Sequence, residues 1–293
     1  MKPVYLILLV GMNCLWAATL TMFKALSPWL DAGGIVLFRY GLAAVACALL
    51  WPWLPGKAPR GLDLLKAGGI GVLVFSLGPR LQTMGVQMGQ ASDAAVLMAL
   101  EPLLCALAAA LLLREHIAPR RWFGFLCGMV GVLLISKVWE SGFQWHQLTA
   151  NGLVLTSFLA EAAYSVIGKP ILERASPYKL LATALFAGTL LNLARDGMSV
   201  IPLAVQLPLS AWAMLLYLSL VCTVFGYALW FVVIRETPVN ITALTIFAQP
   251  VAGVIIAMLW LGETLHWGQL WGSVAIVAGL VGGLWKNGGR AGG

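Results

Sequence analysis

The feature that most limits this chain is a succession of apolar runs, each about 20 residues long, joined by linkers of about a dozen residues or fewer. A bilayer's hydrocarbon core, about 30 Å thick, asks for about 20 apolar residues per spanning helix. Lipid offers the backbone no hydrogen-bond partners, so a spanning segment is either a helix or part of a closed barrel. These runs are continuous rather than alternating, which selects helices. Ten are expected, at about 4–23, 33–53, 65–86, 93–113, 120–138, 150–168, 179–196, 209–234, 239–261 and 267–285. The sequence therefore predicts an all-α integral membrane protein of ten transmembrane helices. Composition agrees: 61% of the 293 residues are hydrophobic and 10% are charged, against about a quarter charged in a soluble domain. The run after Lys2 exceeds a secretory h-region and no A-x-A site stands at its end, so it reads as helix 1.

The net charge of +7 is spread over the linkers, which argues against a nucleic-acid face and carries topology instead. With both termini in the cytoplasm, Lys57, Arg60, Lys66, Arg114, Arg120, Arg121, Lys169, Arg174, Lys179 and Arg235 fall on the cytoplasmic side, whereas Lys24, Lys137 and Arg195 lie outside. The positive-inside rule favours that orientation and a multi-pass protein of the cell inner membrane.

Sliding the sequence against itself by 148 positions sets "ALEPLLCALAAALLLREHIAPRRWFGFLCGMVGVLL" on "FAQPVAGVIIAMLWLGETLHWGQLWGSVAIVAGLVG" without a gap. Pro102 meets Pro250, Glu115 meets Glu263, Gly124 meets Gly272, Gly131 meets Gly279, and Glu101 meets Gln249. Five spans per half is an odd number, so the two repeats are expected to be inverted, over residues 1–138 and 147–286, with a short cytoplasmic tail at 287–293. The linker between Arg114 and Arg121 is basic, while its counterpart from Gly262 to Gln269 has neither Lys nor Arg. Equivalent loops on opposite faces should differ in that way. Inverted repeats around a midplane site are a transporter architecture.

The paired segments ending in these proline, glutamate and glycine positions, with "LWAATLTMFK" in helix 1 and "GGIVLFRYGLAA" in helix 2, resemble two EamA domains of the drug/metabolite transporter superfamily. That resemblance covers nearly the whole chain. It implies ten helices, cytoplasmic termini, a central cavity and export of small metabolites, as in bacterial amino-acid exporters of the aromatic-amino-acid exporter type. Where that family often has Ser or Thr before the mid-helix proline, this chain has Glu101 and Gln249.

Proline removes a backbone donor and disturbs the preceding turn, so Pro102 and Pro250 predict helix breaks at the midplane, and Pro79 a third in helix 3. The side chains just before two of them, Glu101 and Gln249, are expected to face a cavity. Ionisable groups within spans cost about 2.5–3.5 kcal/mol on insertion scales and turn to the bundle interior; here they are Arg39, Arg80, Glu101 and Glu161. Arg80, beside Pro79 and amid Gln82, Thr83 and Gln87, is the favoured cation for a substrate carboxylate. Arg39 is read near the outer end of helix 2, where it suits an internal ion pair as well as ligand contact. Asn13 and Glu161 are repeat mates, and Trp16, Tyr164 and Tyr227 are the aromatic wall candidates. Trp51, Trp53, Trp139, Trp145 and Trp285 are assigned to interfacial belts.

No G-x-x-x-x-G-K-[ST] or G-x-S-x-G sequence occurs, and His116, His146 and His266 have no metal-ligand spacing. Neither a metal nor another cofactor is expected. The five cysteines lie in apolar runs and read as packing residues. A membrane enzyme using Glu101 and Glu161 as acid and base is the disfavoured alternative, since no nucleophile accompanies them. The expectation is therefore a non-enzymatic secondary transporter exporting amino acids or similar small molecules by alternating access and able to act as a monomer. Export of a drug, nucleoside, sugar or organic cation is the alternative.

Overall fold

The computed structural model describes residues 2–88, 97–135, 148–252, 255 and 267–284. The 287–293 tail, Lys137, Trp139, Trp145, His146, Glu263, His266 and Trp285 lie outside the described residues. Every regular element among those described is helical, and apart from short 3-10 turns they fall into ten segments. These are α1 (Pro3–Leu26), α2 (Ala32–Leu50), α3 (Leu62–Met88), α4 (Glu101–Leu112), α5 (Pro119–Ile135), α6 (Leu148–Ile171), α7 (Pro177–Val200), α8 (Leu209–Glu236), α9 (Val239–Ala252) and α10 (Trp267–Leu284). Five stretches have the length and apolar character to cross a membrane: α1, α2 extended to Trp53, α3, α6 and α8.

Local chemistry sets the ends. Asp31 caps α2, its side chain accepting from the Gly34 N–H at 2.7 Å, the role for which Asp is favoured. Pro177 and Pro119 stand where a missing N–H costs nothing, at the start of α7 and α5. Thr237, before Pro238, is forced into the extended region (φ −125°, ψ 141°) and stops α8.

Contacts between the two halves come in exchange-related pairs. α3 packs on α6 and α7 as α8 packs on α1 and α2, while α2 meets α7, α4 meets α9, and α5 meets α10. The α5–α10 crossing is made by glycine. A Cβ on Gly131 would lie 2.6 Å from the Gly272 carbonyl oxygen, and one on Gly272 would lie 2.5 Å from that of Gly131. Backbones approach this closely only where side chains are absent.

Both third helices of the repeats contain a π turn, Leu73–Leu77 in α3 and Tyr217–Phe225 in α8. Gly78 and Gly226, the residues that resume α-helix, are again 148 apart. The proline at 79 is therefore the second residue of a new helical stretch, and a π turn precedes it. Widened turns strand backbone acceptors, and neighbouring side chains take them up: Asn192 Nδ2 donates to the Phe75 carbonyl at 2.8 Å, and Trp16 Nε1 to that of Cys222 at 2.8 Å. At Pro102 and Pro250 the helices tighten instead. Turns of 3-10 helix occupy Met98–Leu100 and Leu244–Phe247. The Met98 carbonyl, which Pro102 cannot serve, accepts from the Glu101 N–H, so that acceptor is satisfied locally.

The five cysteines are free. Trp53 is exposed, as are Leu49, Leu111 and Leu112, giving the helices an apolar outer surface suited to acyl chains.

Candidate functional site

A cavity of about 90 Å³ lies between the two halves, lined from α1 by Trp16, Thr19 and Leu20, from α2 by Arg39, from α3 by Gln82, and from α4 and its leading turn by Met98, Glu101 and Cys105. Glu161, Tyr164 and Ser165 of α6, Tyr227 and Trp230 of α8, and Ile246 and Gln249 of α9 complete it. Its polar groups are held to different degrees. Glu161 accepts the Tyr227 hydroxyl at 3.0 and 3.1 Å to its two oxygens. Tyr227 is fixed in turn through its own carbonyl, which accepts the Tyr164 hydroxyl at 2.8 Å. Trp230 Nε1 donates to Ser165 Oγ at 2.9 Å.

The rings form one interlocked wall. Tyr227 presents edge contacts to Trp16 (5.7 Å), Tyr164 (4.9 Å) and Phe75 (5.1 Å), and Tyr164 stacks on Phe231 at 3.9 Å. Their stacked and T-shaped geometries are favourable ones for aromatic quadrupoles.

Glu101 sits opposite in kind. Among the described residues it has no hydrogen-bond donor and no cation at ion-pair distance, although it lines the cavity. Arg39 is buried, and its Nε donates to Thr223 Oγ1 at 3.0 Å. Its guanidinium lies 4.9 Å from the Tyr40 ring centroid and 5.6 Å from that of Phe23. No described carboxylate lies within salt-bridge distance of it.

The structure thus brings together Glu101, Gln249, Trp16, Tyr164, Glu161 and Tyr227. Asn13 lies just behind the wall, accepting from Gln249 Nε2 at 2.9 Å and donating to Leu9 O and Thr245 Oγ1; it positions Gln249 and does not itself line the cavity. Pro102 and Pro250 follow Glu101 and Gln249 at the head of their helical turns, and Pro79 is buried within α3. Arg80 is a correction. Its Nη1 is 2.5 Å from Asp196 Oδ2, at the far end of α7, where it ties α3 to α7 and does not reach the cavity. A carboxylate on the neighbouring helix captured the cation that the polar run around Pro79 had recommended.

Arg39 is the cation that sequence reasoning under-weighted. The Asp31 cap fixes the start of α2 at Ala32, which puts Arg39 two turns into the helix rather than at its outer end. Thr223 carries no sequence signal of its own, and Gln82 stood out only as a neighbour of Arg80.

Among the described residues the protein is all helical, with membrane-length apolar helices whose paired halves line a cavity of mixed charge, and so it is a polytopic membrane protein. The family model that matches is the EamA-like transporter family, over residues 3–137 and again over 148–284. The chain belongs to that family. It is similar to a "Probable terminal-alkyne amino-acid exporter" of Streptantibioticus cattleyicolor, 26% identical over 260 residues that cover 86% of each protein. It is also similar to an uncharacterized transporter of Archaeoglobus fulgidus, 23% identical over 90% of this chain and 93% of the relative. A solved structure of 18% sequence identity, covering 94% of both chains, superposes with a TM-score of 0.72 and so shares the fold.

Proposed function

We propose that this protein is a secondary exporter of amino acids or closely similar amphoteric metabolites, crossing the inner membrane ten times with both termini in the cytoplasm. The observation that carries the reading is one cavity between the halves holding a guanidinium, Arg39, without a carboxylate partner among the described residues, and a carboxylate, Glu101, without a donor among them. A substrate carboxylate suits the planar fork of Arg39, an ammonium suits Glu101, and the Trp16, Tyr227 and Trp230 faces suit an apolar side chain. The name of the Streptantibioticus relative supports the same class.

The cavity is lined by residues of both repeats, so relative movement of the repeats changes access to it. Two inverted repeats rocking about the site give that motion and expose it to each face in turn. One copy of the chain supplies all the lining residues, so a monomer suffices.

The test is counterflow in proteoliposomes of purified protein, with labelled amino acids set against sugars, nucleosides and organic cations. Exchange of amino acids carries the proposal. Exchange confined to another class overturns the substrate, and absence of exchange across the panel overturns the function.

A further inference from the structure

A second cavity, of about 330 Å³, shares no lining residue with the one between the repeats. It lies at the end of the bundle that carries the amino terminus, since Glu236 in its wall is the partner of Lys2. Three segments wall it: residues 55–57 of the linker between α2 and α3, residues 173–178 of the turn from α6 into α7, and the last turn of α8 with Val232 and Arg235.

The start of α7 lacks the side-chain cap that its sequence offers. Ser176 has the extended backbone of an N-cap residue (φ −68°, ψ 137°), yet its hydroxyl makes no capping bond. The residue is 7% exposed, and that hydroxyl has no hydrogen-bond partner among the described residues. A buried hydroxyl left in this state is costly. Beside it stand the first-turn N–H groups of Tyr178 and Lys179, orphans at the positive end of a 24-residue helix. Donors gathered in this way suit an anion.

The charged side chains agree. Arg174 is engaged with Asp63 through Nε at 2.8 Å and Nη2 at 2.9 Å, and Glu236 accepts from Lys2 at 2.6 Å. Among the described residues lining the cavity, Lys57 and Arg235 then stand without an ion pair against the carboxylate of Glu173. With the helix end included, the balance is positive. Position selects the kind of anion. Lys179 lies 5.4 Å from the ring centroid of Trp51, and Trp53 of the same linker is exposed, and indoles of this kind sit at headgroup level. Basic pockets between helices at that level take the phosphates of anionic lipids.

We infer that this cavity is a binding site for a phosphate ester, that of an anionic phospholipid of the surrounding bilayer. The Ser176 hydroxyl and the N–H groups of Tyr178 and Lys179 donate to its oxygens, while Lys57 and Arg235 balance its charge. Bound there, the headgroup joins a linker of the first repeat to three helices of the second, beside the bond from the Ser176 N–H to the Lys57 carbonyl at 2.9 Å. The inference requires a membrane-embedded chain and is independent of what that chain carries.

The test uses the full chain purified in neutral detergent, with bound lipid read by native mass spectrometry and phosphatidylglycerol, phosphatidylcholine and glycerol phosphate as probes. Phosphatidylglycerol should bind about tenfold more tightly than phosphatidylcholine, and Arg235→Gln and Ser176→Asp should each lose about that factor. Asp is a favoured N-cap residue, so the second variant keeps the helix end while setting a carboxylate where the phosphate binds. Arg60→Gln removes an exposed charge from the same linker without touching the cavity and should keep wild-type affinity. Unchanged affinity in both Arg235→Gln and Ser176→Asp overturns the site. An equal loss in Arg60→Gln also overturns it, because diffuse surface charge then explains the binding. Equal affinity for the two lipids overturns the assignment to an anionic headgroup. Binding of glycerol phosphate as tight as that of phosphatidylglycerol, with the same dependence on Ser176 and Arg235, retains the phosphate site and overturns its lipid source.

Discussion

Glu115 lies in the linker after α4, and four donors converge on its carboxylate. Lys169 Nζ of α6 is at 2.7 Å, the Val239 and Asn240 backbone N–H groups at 2.9 and 3.1 Å, and Asn240 Nδ2 at 2.8 Å. The two backbone donors are orphans of the first turn of α9, where a negative charge also meets the positive end of the helix dipole. Asn240 is held from its other side by Arg121 Nη1 of α5. One side chain thus ties the first repeat to two helices of the second, and it is largely buried, at 10% side-chain exposure against 25% for Lys169. Hydrogen bonds to a charged group contribute about 1.5–3 kcal/mol each. Glu115→Gln keeps one acceptor oxygen but turns an amide N–H2 toward donors, which should cost about 3 kcal/mol. Glu115→Ala, which strands the ammonium and the helix end, should cost about 3–5 kcal/mol. At about 2 °C per kcal/mol for a chain of this size, the thermal midpoint of the Gln variant should fall about 6 °C by tryptophan fluorescence of purified protein in detergent. Glu173→Gln, an exposed carboxylate on the same side of the fold, is the reference. A double-mutant cycle with Lys169→Met should return a coupling of about 1–2 kcal/mol. Should Glu115→Gln and Glu173→Gln melt within about 1 °C of one another, the reasoning that this carboxylate fastens the repeats is refuted.

Three further outcomes follow from the same structure. Gly71→Ala should destabilise by about 1–3 kcal/mol, since its Cβ would sit 2.1 Å from the Ala184 carbonyl oxygen and force α3 from α7; Gly68→Ala, with no atom within 4 Å, should be neutral or stabilising by about 1 kcal/mol, and equal melting of the pair would discount the crossing. Asn192→Leu should cost about 1–3 kcal/mol by stranding the Phe75 carbonyl at the π turn, whereas Asn192→Asp, which keeps the shape but loses the amide donor, should be at least as damaging; an unaltered midpoint in both would sink the argument. For transport, Arg39→Lys should raise the half-saturating concentration for an amino acid about tenfold, the equivalent of about 1.4 kcal/mol, while Arg80→Gln should lower stability without changing that concentration. The reverse pattern in counterflow would restore Arg80 to the site.

Much of this was legible along the chain because the bilayer reads sequence directly. Apolar runs of spanning length, the 148-residue offset and the intramembrane ionisable residues are properties of linear order. Glu101 and Gln249 stand out beside their prolines for that reason, and Trp16, Tyr164, Glu161 and Tyr227 by their chemistry within apolar runs; the structure puts all six around one cavity. The π turns left only the glycine pair at 78 and 226 as a trace, since a turn of five residues is set by what packs against it. Here Asn192 and Trp16 accept the task of filling the stranded carbonyls.

The division between sequence and structure is clearest in the arginines. Arg39 and Arg80 both stand in helices of the first repeat, and local sequence favours Arg80 because Pro79, Gln82 and Thr83 surround it. The sequence by itself determined that the chain is helical, membrane-embedded and doubled, because hydropathy and periodicity act through each segment alone. Which arginine reaches the cavity depended on what stands across from it. Asp196 lies 116 residues from Arg80 and claims it, while Thr223, 184 residues from Arg39, accepts from the Nε of that guanidinium. Such pairings are decided by helix packing, since Coulombic and hydrogen-bond energies depend on separation in space and not along the chain.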